Sequence, residues 1–266
     1  MNLDQIRQQT IAVAQEAGAF MQQEAAKFNA SAIEYKGKND LVSYVDKETE
    51  KIIVAGLRQI VPEAGFITEE GTTDVGRADT YNWVIDPVDG TTNYVHGLPV
   101  YSSSIALMKD KGVIVGVVND PARGECFHAI QGGPAYCNDT VIKVSPVTTL
   151  AQSLLTTGFP YTTFDTMATY LEVLRDLMTH TQGIRRMGSA ALDLAYVAAG
   201  RFDVFFEYGL KPWDVVAGVL LVQQAGGSVS TFTGTDDYIF GREMIAGGAI
   251  REALMEVVRQ HWYSQD

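Results

Sequence analysis

A buried-strand pattern that ends in an acidic turn motif places the strongest constraint on this chain. The segment Asn82–Ile85 (NWVI) is a short apolar run, and Asp86–Thr92 (DPVDGTT) follows it directly. An apolar run of this kind is typical of a buried strand. Pro87 removes a backbone donor, and Gly90 permits backbone conformations that other residues avoid. We therefore predict a sharp turn that brings the two aspartates of the motif together at the end of a strand.

Two carboxylates at the end of one strand need a partner of opposite charge. Asp86 and Asp89 repel each other at close range unless a cation or a shared proton lies between them. Carboxylate oxygens suit magnesium, manganese or calcium. A second short apolar run ends in Glu69 and Glu70, which adds two more acids. We interpret the stretch from Gly65 to Tyr94 as a carboxylate cage for two or more metal ions.

Composition narrows the class of protein. The 266 residues are 46% hydrophobic and 20% charged, which is ordinary for a globular chain with a large core. The net charge of −12 argues against a nucleic-acid partner, although bound metals still allow a phosphorylated substrate. The N-terminus lacks the features of a signal peptide, and no apolar run reaches the roughly 20 residues of a membrane span, so we expect no membrane partner. With only two cysteines, we expect a reduced, cytoplasmic setting.

Two motifs in a fixed order connect this chain to a known family. The segment Trp83–Asn93 holds the first motif, and Pro212–Gly218 (PWDVVAG), followed by Ala225-Gly226-Gly227, holds the second. Together they resemble the two signatures of the inositol monophosphatase family, and the likeness extends from about Ile33 to Ala246. The resemblance implies a layered αβαβα sandwich of the sugar-phosphatase type, with the active site between two lobes.

The order of strand-like and helical stretches agrees with an α/β or α+β fold rather than a simple doubly wound sheet. Long hairpins occupy the first half of the chain, and a second lobe is predicted to begin near Thr148. We expect an N-terminal α+β lobe at residues 1–147 that carries most of the metal ligands. The C-terminal α/β lobe, residues 148–266, would carry Asp214 and the residues that contact substrate.

The resemblance implies a set of metal ligands. Glu69, Asp86 and the backbone carbonyl of Val88 would hold a first ion. Asp86, Asp89 and Asp214 would hold a second, and a third, weaker site would use Glu69 and water. The expected cofactor is Mg²⁺, two or three ions, with Mn²⁺ as a substitute.

The resemblance also implies catalytic and substrate-binding residues. Thr91 and Asp46 would orient or deprotonate the attacking water, and Glu69 belongs to the same catalytic group. Lys36 and Glu70 are lesser candidates near the metals. The residues expected to bind phosphate and substrate lie in four segments: Gly90, Thr91 and Thr92; Gly188, Ser189 and Ala190; Glu207; and Asp214.

Without the resemblance, several of these residues have simpler interpretations. An acid at position 46 suits the first turn of a helix, and Asp214 suits the N-terminus of another helix. Cys126 and His128 alternate on a predicted strand, but no third metal ligand stands near them in the sequence. The pair Arg185-Arg186 is interpreted as a dimer contact or the solvated start of a helix.

The expected function is a magnesium-dependent, lithium-sensitive phosphomonoesterase. The resemblance favours myo-inositol monophosphate, hydrolysed to inositol and phosphate by metal-activated water without a covalent intermediate. The alternatives are fructose-1,6-bisphosphatase, histidinol-phosphatase or nucleotide 3′-phosphatase activity at the same site, or a non-catalytic regulatory protein on this fold. A homodimer is expected because family members commonly form one.

Two residues depart from the family pattern. Thr68 stands where a glycine commonly precedes the Glu-Glu pair, and Gln224 stands where a glutamate commonly precedes Ala-Gly-Gly. We expect Thr68 to tighten its loop and shift metal affinity. We expect Gln224 to have a structural role.

Overall fold

The computed structural model describes residues 1–27, 33–37, 40–74, 76–159 and 164–262, with the backbone alone in 33–37 and 40–42. This described part contains two large sheets, a two-stranded hairpin and seven α-helices. The predicted mixed α/β class is therefore confirmed. The helices are α1 (Leu3–Ala25), α2 (Tyr44–Ile60), α3 (Thr91–Val95), α4 (Met167–His180), α5 (Ala190–Ala198), α6 (Pro212–Gln224) and α7 (Arg251–Trp262).

The larger sheet has seven strands in sequential order. Its first two strands are parallel and all later neighbours are antiparallel. The hairpin that precedes it consists of β1 (Ile33–Gly37) and β2 (Asp40–Ser43). The seven strands are β3 (Gly65–Thr68), β4 (Tyr81–Asp89), β5 (Ser102–Lys109), β6 (Gly112–Asp120), β7 (Glu125–Ile130), β8 (Tyr136–Cys137) and β9 (Thr140–Val141).

The second sheet has five strands in the order β11-β10-β12-β14-β13. Strand β10 is parallel to both of its neighbours, whereas β14 is antiparallel to both of its own. The strands are β10 (Leu154–Thr157), β11 (Gly183–Arg185), β12 (Val204–Tyr208), β13 (Ser228–Ser230) and β14 (Glu243–Gly247). The lobe boundary predicted at 147/148 falls in the segment that joins the two sheets, and it stays a prediction.

Alternating side chains stack the elements into five layers. Trp83 and Ile85 of β4 pack with α1 and α2, whereas Val84 faces the other way and packs with α5 and α6. In β12 the same period of two directs Phe205 toward α5 and α6 and Phe206 toward α4 and α7. The order of layers is therefore α1/α2, the seven-stranded sheet, α5/α6, the five-stranded sheet and α4/α7. This is the αβαβα sandwich that the resemblance implied.

One local prediction differs from the structure. Arg185 was placed at the opening of a helix, but it ends strand β11, and α5 begins only at Ala190 after the N-cap Ser189. None of the helices in the described ranges combines the length and the apolar character needed to cross a bilayer.

Candidate metal and phosphate site

Strand β4 carries the two aspartates of the first motif into the interior. The predicted strand Asn82–Ile85 is longer than expected: it continues through Pro87 to Asp89, with an irregular register between Asp86 and Asp89. Proline fits there because the neighbouring β3 ends opposite Ile85, which leaves no ladder on that side to break. The chain reverses at Gly90, where φ is +96°. A Cβ atom on Gly90 would lie only 2.9 Å from the carbonyl oxygen of Val100, so both conformation and space require glycine.

Serines on β5 connect β4 to the starts of two helices. Asp86 lies opposite Ser104, and Asp89 lies opposite Ser102. Ser104 Oγ donates to the carbonyl oxygen of Trp213 at 3.0 Å, and Ser102 Oγ lies 3.3 Å from Ser189 Oγ. The first turn of α6 and the N-cap of α5 are thereby held beside the end of β4. Sequence reasoning missed these serines, although three consecutive serines in a buried strand were a visible signal.

Four acids lie within electrostatic range of one another at this point. Asp86 is buried, and its pKa is raised well above its ordinary value by burial and then by the charges of Glu69, Asp89 and Asp214. Burial raises the pKa of Asp89 to about 6, although the Ser189 hydroxyl and the Ala191 amide oppose the shift. Burial and the charge of Asp89 also raise the pKa of Asp214. Each carboxylate is therefore costly in its charged form unless a cation compensates it.

The acids also have partners within the protein. Asp89 Oδ2 accepts from Ser189 Oγ at 2.5 Å and from the Ala191 amide at 2.7 Å, while Asp214 Oδ2 accepts from the Lys211 amide at 2.7 Å. Among the described residues, no three acid, histidine or cysteine side chains converge into a ready-made ligand group. The donor set still fits a hard divalent cation in its chemistry, because it consists of carboxylate oxygens whose charges repel one another.

Thr91 and Asp46 form the pair that the resemblance implied. Thr91 Oγ1 lies 2.9 Å from Asp46 Oδ1 and 2.9 Å from the Val88 carbonyl oxygen. The other oxygen of Asp46 accepts from the amide and the hydroxyl of Ser43, which caps α2. Burial raises the pKa of Asp46 despite these hydrogen bonds. Asp46 therefore serves the helix start and the site together, so its two interpretations are not alternatives.

A glycine loop between β11 and α5 lies against the first motif. Gly188 adopts φ +93°, and a Cβ atom there would lie 2.8 Å from Asn93 Nδ2. That amide nitrogen donates to the carbonyl oxygens of Met187 and Val100, each at 2.8 Å. Asn93 thus ties α3 to the segment that carries Gly188, Ser189 and Ala190. The motif contained Asn93, but sequence reasoning gave it no role.

Glu207 lies in β12, one residue before the strand ends at Tyr208. Burial raises its pKa well above its usual range, the charge of Asp193 adds to this, and Arg186 opposes it. A Cβ atom on Gly158 would lie 2.1 Å from the Glu207 carboxylate, so glycine leaves the room that the acid occupies. Asp193 is buried and accepts from Thr156 Oγ1 at 2.7 Å. Sequence reasoning missed Gly158 and Asp193, and it gave Arg186 a different place.

The remaining candidates differ in their exposure and contacts. Glu70 is half-buried, and Thr92 is exposed in the first turn of α3. The side chain of Lys36 lies outside the described residues. Gln224 Oε1 accepts from the Gly132 amide at 3.1 Å, in the turn after β7, which is the structural role predicted for it. Cys126 is buried, and burial raises the pKa of its thiol to about 12, which does not favour a nucleophile.

Comparison with known proteins decides the family. Residues 2–263 match the family model described as the inositol monophosphatase family. This chain belongs to the inositol monophosphatase family. The predicted resemblance is thereby confirmed over nearly the whole sequence. Membership of this family supports phosphatase activity. The family is generally metal-dependent.

The relatives carry two kinds of name. An inositol-1-monophosphatase from Mesorhizobium japonicum is 38% identical over 251 residues, 94% of each chain. A protein named Nus factor SuhB from Salmonella typhimurium is 44% identical over 240 residues, 90% of each chain. The crystal structure of the extragenic suppressor protein SuhB from Bartonella henselae is 37% identical, covers 95% of this chain and 98% of that chain, and gives a TM-score of 0.91.

Proposed function

We propose that this protein hydrolyses a phosphate monoester with the help of divalent cations, and that myo-inositol monophosphate is its preferred substrate. The observation that carries the proposal is the group of four acids, Glu69, Asp86, Asp89 and Asp214, beside the Thr91–Asp46 pair. Burial raises the pKa values of three of them, and the charges of neighbouring acids add to the shift for Asp86 and Asp214, which is the condition that bound cations relieve.

The proposed ligands follow the family pattern. Glu69, Asp86 and the Val88 carbonyl would hold one Mg²⁺, and Asp89 and Asp214 would join Asp86 around a second. A third ion would rest on Glu69, and Mn²⁺ would substitute. When bound, such ions lower the pKa of a water molecule and offset charge on the leaving oxygen.

The chain itself supplies orientation and a proton acceptor. Thr91 Oγ1 can donate a hydrogen bond to Asp46 Oδ1 at 2.9 Å. The lone pairs of the threonine oxygen then stay free to accept a hydrogen bond from the attacking water. The raised pKa of Asp46 makes this carboxylate a better base than an exposed one. We propose that the amides of Gly90, Thr91 and Thr92, in the first turn of α3, donate to the phosphate.

The substrate side lies between α5 and β12. Gly188, Ser189 and Ala190 would border the polyol ring, and the carboxylate of Glu207 would accept hydrogen bonds from its hydroxyl groups. A buried acid disfavours a second phosphate beside it. This argues for a polyol monophosphate ahead of fructose 1,6-bisphosphate and adenosine 3′,5′-bisphosphate. Histidinol phosphate, which carries one phosphate, stays an alternative.

Phosphate release tests the proposal directly. Inositol 1-phosphate, fructose 1,6-bisphosphate, histidinol phosphate and adenosine 3′,5′-bisphosphate are compared with Mg²⁺, with EDTA and with added Li⁺. We expect Mg²⁺-dependent release that is fastest with inositol 1-phosphate and inhibited by Li⁺.

Asp89→Asn should lose about 100-fold or more in kcat, the scale for removal of one electrostatic partner. Asp139→Asn, an exposed acid on the β8–β9 turn, is the matched control and should be unaffected. Preference for another ester would overturn the substrate and keep the mechanism.

A second candidate is a non-catalytic regulatory role, and the name Nus factor SuhB on relatives up to 44% identical is the observation that favours it. A folded protein that binds Mn²⁺ but releases phosphate from none of these esters would establish the regulatory role over the enzyme.

Absence of nucleic-acid binding, a cytoplasmic location and a homodimer stay predictions. Filter binding with RNA and DNA at moderate salt tests the first of these, and sedimentation tests the last.

A further inference from the structure

The loop that carries Glu69 has a partner for every backbone amide from 69 to 72. We call Thr68–Thr72 the Glu69 loop. The amide of Glu69 donates to the Ile85 carbonyl at 3.3 Å, and the amide of Gly71 donates to Thr68 Oγ1 at 3.2 Å. The amides of Glu70 and Thr72 both donate to the side chain of Glu50, which belongs to another element.

Glu50 lies on α2 and is fully buried. Its Oε2 accepts from the Glu70 amide at 2.8 Å, and its Oε1 accepts from the Thr72 amide at 2.7 Å and from Thr72 Oγ1 at 2.8 Å. One oxygen of the Glu50 carboxylate therefore holds the loop at residue 70, and the other holds it at residue 72. Glu50 also stands one helical turn after Asp46, on the same face of α2.

Stability alone does not account for an acid at this position. A buried carboxylate is expensive to desolvate, and an apolar side chain on this face of the helix would avoid that cost. Geometry does account for it, because only a carboxylate presents two acceptor oxygens to two amides. Glutamine would turn an NH₂ group toward one of the amides, and donor would then face donor.

We propose that Glu50 is a positioning residue that fixes the carboxylate of Glu69 and thereby sets the affinity for divalent cations. The inference rests on the proposed function, in which Glu69 is a cation ligand. Glu50 touches neither the substrate nor the cation in this scheme. Thr68 contributes through its hydrogen bond to Gly71, which is how a threonine at this position tightens the loop.

Isothermal titration of the metal-free protein with Mn²⁺ tests the proposal without relying on activity. Glu50→Gln should raise the Kd for Mn²⁺ by about 10- to 100-fold, the usual effect of removing a group that orients a ligand. Glu48→Gln is the matched control, since Glu48 lies on the same helix, is exposed and pairs with Lys51. Its Kd should equal that of the wild type. In assays, the Mg²⁺ concentration for half-maximal rate should rise for Glu50→Gln while kcat at saturating Mg²⁺ stays close to wild type.

A merely structural role gives a different result. Glu50→Gln would then melt at a lower temperature in EDTA, but the folded protein would bind Mn²⁺ with unchanged Kd, and this would overturn the inference. If Glu50→Gln does not fold, Thr72→Val decides, because it removes one donor to Glu50 and should raise the Kd by a smaller factor. An unchanged Kd for that variant rejects the proposal. Failure of the wild type to bind Mn²⁺ at all would instead reject the proposed function.

Discussion

The hydroxyl of Thr91 lies between a carboxylate and a carbonyl, and this placement gives one residue a testable share of the chemistry. Its Oγ1 lies 2.9 Å from Asp46 Oδ1. Asp46 in turn is held by the amide and hydroxyl of Ser43. Each group therefore has a fixed neighbour, and removal of the hydroxyl breaks the connection between the acid and the position proposed for water.

We expect Thr91→Val to lower kcat by about 100-fold or more, the lower range for loss of positioned acid–base catalysis. Valine keeps the shape of the side chain, so KM and the melting temperature should change little. Thr91→Ser keeps the hydroxyl and should recover most of the rate. Steady-state kinetics at saturating Mg²⁺ measures this, and equal rates for the valine and serine variants would exclude a role for the hydroxyl.

Single residues were predictable where they stood in a local motif, and unpredictable where their partners were distant in sequence. The acids of DPVDG and Asp214 belong to contiguous signatures. Ser104 contacts a residue 109 positions away, and Ser102 contacts one 87 positions away. Such contacts exist only once the helices have packed on the sheet, and no pattern along the chain encodes them.

At the scale of elements, four helices begin at the site, and in three of them, α2, α5 and α6, a polar group at the N-cap or in the first turn also caps the helix. In α2 and α6 the third residues, Asp46 and Asp214, accept from the backbone amides of the N-caps Ser43 and Lys211. In α5 the N-cap Ser189 itself donates to Asp89. Helix capping and site construction therefore use the same atoms. This is why the sequence allowed a capping interpretation for Asp46 and Asp214.

Replacement of Ser189 tests whether one hydroxyl serves both the cap of α5 and the hydrogen bond to Asp89. Ser189→Ala removes the cap of α5, whose oxygen accepts from the Leu192 amide at 3.3 Å, and it removes a donor to Asp89. We expect a loss of about 1–2 kcal/mol in the free energy of unfolding, measured by urea denaturation in EDTA. Ser189→Thr keeps a hydroxyl and is the control. A variant with alanine that is as stable as wild type would show that neither hydrogen bond stabilises the fold.

Strand β4 is longer than the apolar run that predicted it. The predicted strand was Asn82–Ile85 and the turn was predicted within DPVDG, yet β4 continues through Pro87 to Asp89. Beyond Ile85 it has no β3 neighbour, although it still pairs with β5 at Asp86 and Asp89. Whether a strand has a neighbour at a given residue depends on the lengths of other strands. Sequence patterns locate a strand well, but they do not show where its neighbour ends.

At the scale of the whole molecule, the site concentrates negative charge where the two sheets and the middle helices meet. The pKa values of Asp86, Asp89 and Asp214 are raised in the folded, cation-free protein. The folded state therefore holds more protons than the unfolded state between about pH 4, where free carboxyls titrate, and the higher folded values, such as about 6 for Asp89. It follows that these groups make the cation-free protein less stable as pH rises through this window.

Divalent cations should reverse that trend. A cation and protons compete for the same carboxylates, so Mn²⁺ should raise the melting temperature more at pH 7.5 than at pH 5. In EDTA, stability should fall between these two pH values. Thermal unfolding followed by circular dichroism, with and without Mn²⁺, measures both effects. Asp139→Asn serves as the control and should behave like the wild type, whereas an equal shift at both pH values would contradict the assignment of these acids as ligands.

The shared face of α2 has a consequence for how this chain tolerates change in length. Asp46 and Glu50 contact different parts of the site from the same side of the helix. Inserting or deleting one residue between them rotates one relative to the other by about 100° and shifts it by about 1.5 Å along the axis. The exposed position of this turn, Glu48, can exchange its side chain freely, yet the turn cannot gain or lose a residue. An insertion scan along α2 should therefore show a one-turn segment that accepts many amino acids at position 48 and only one length.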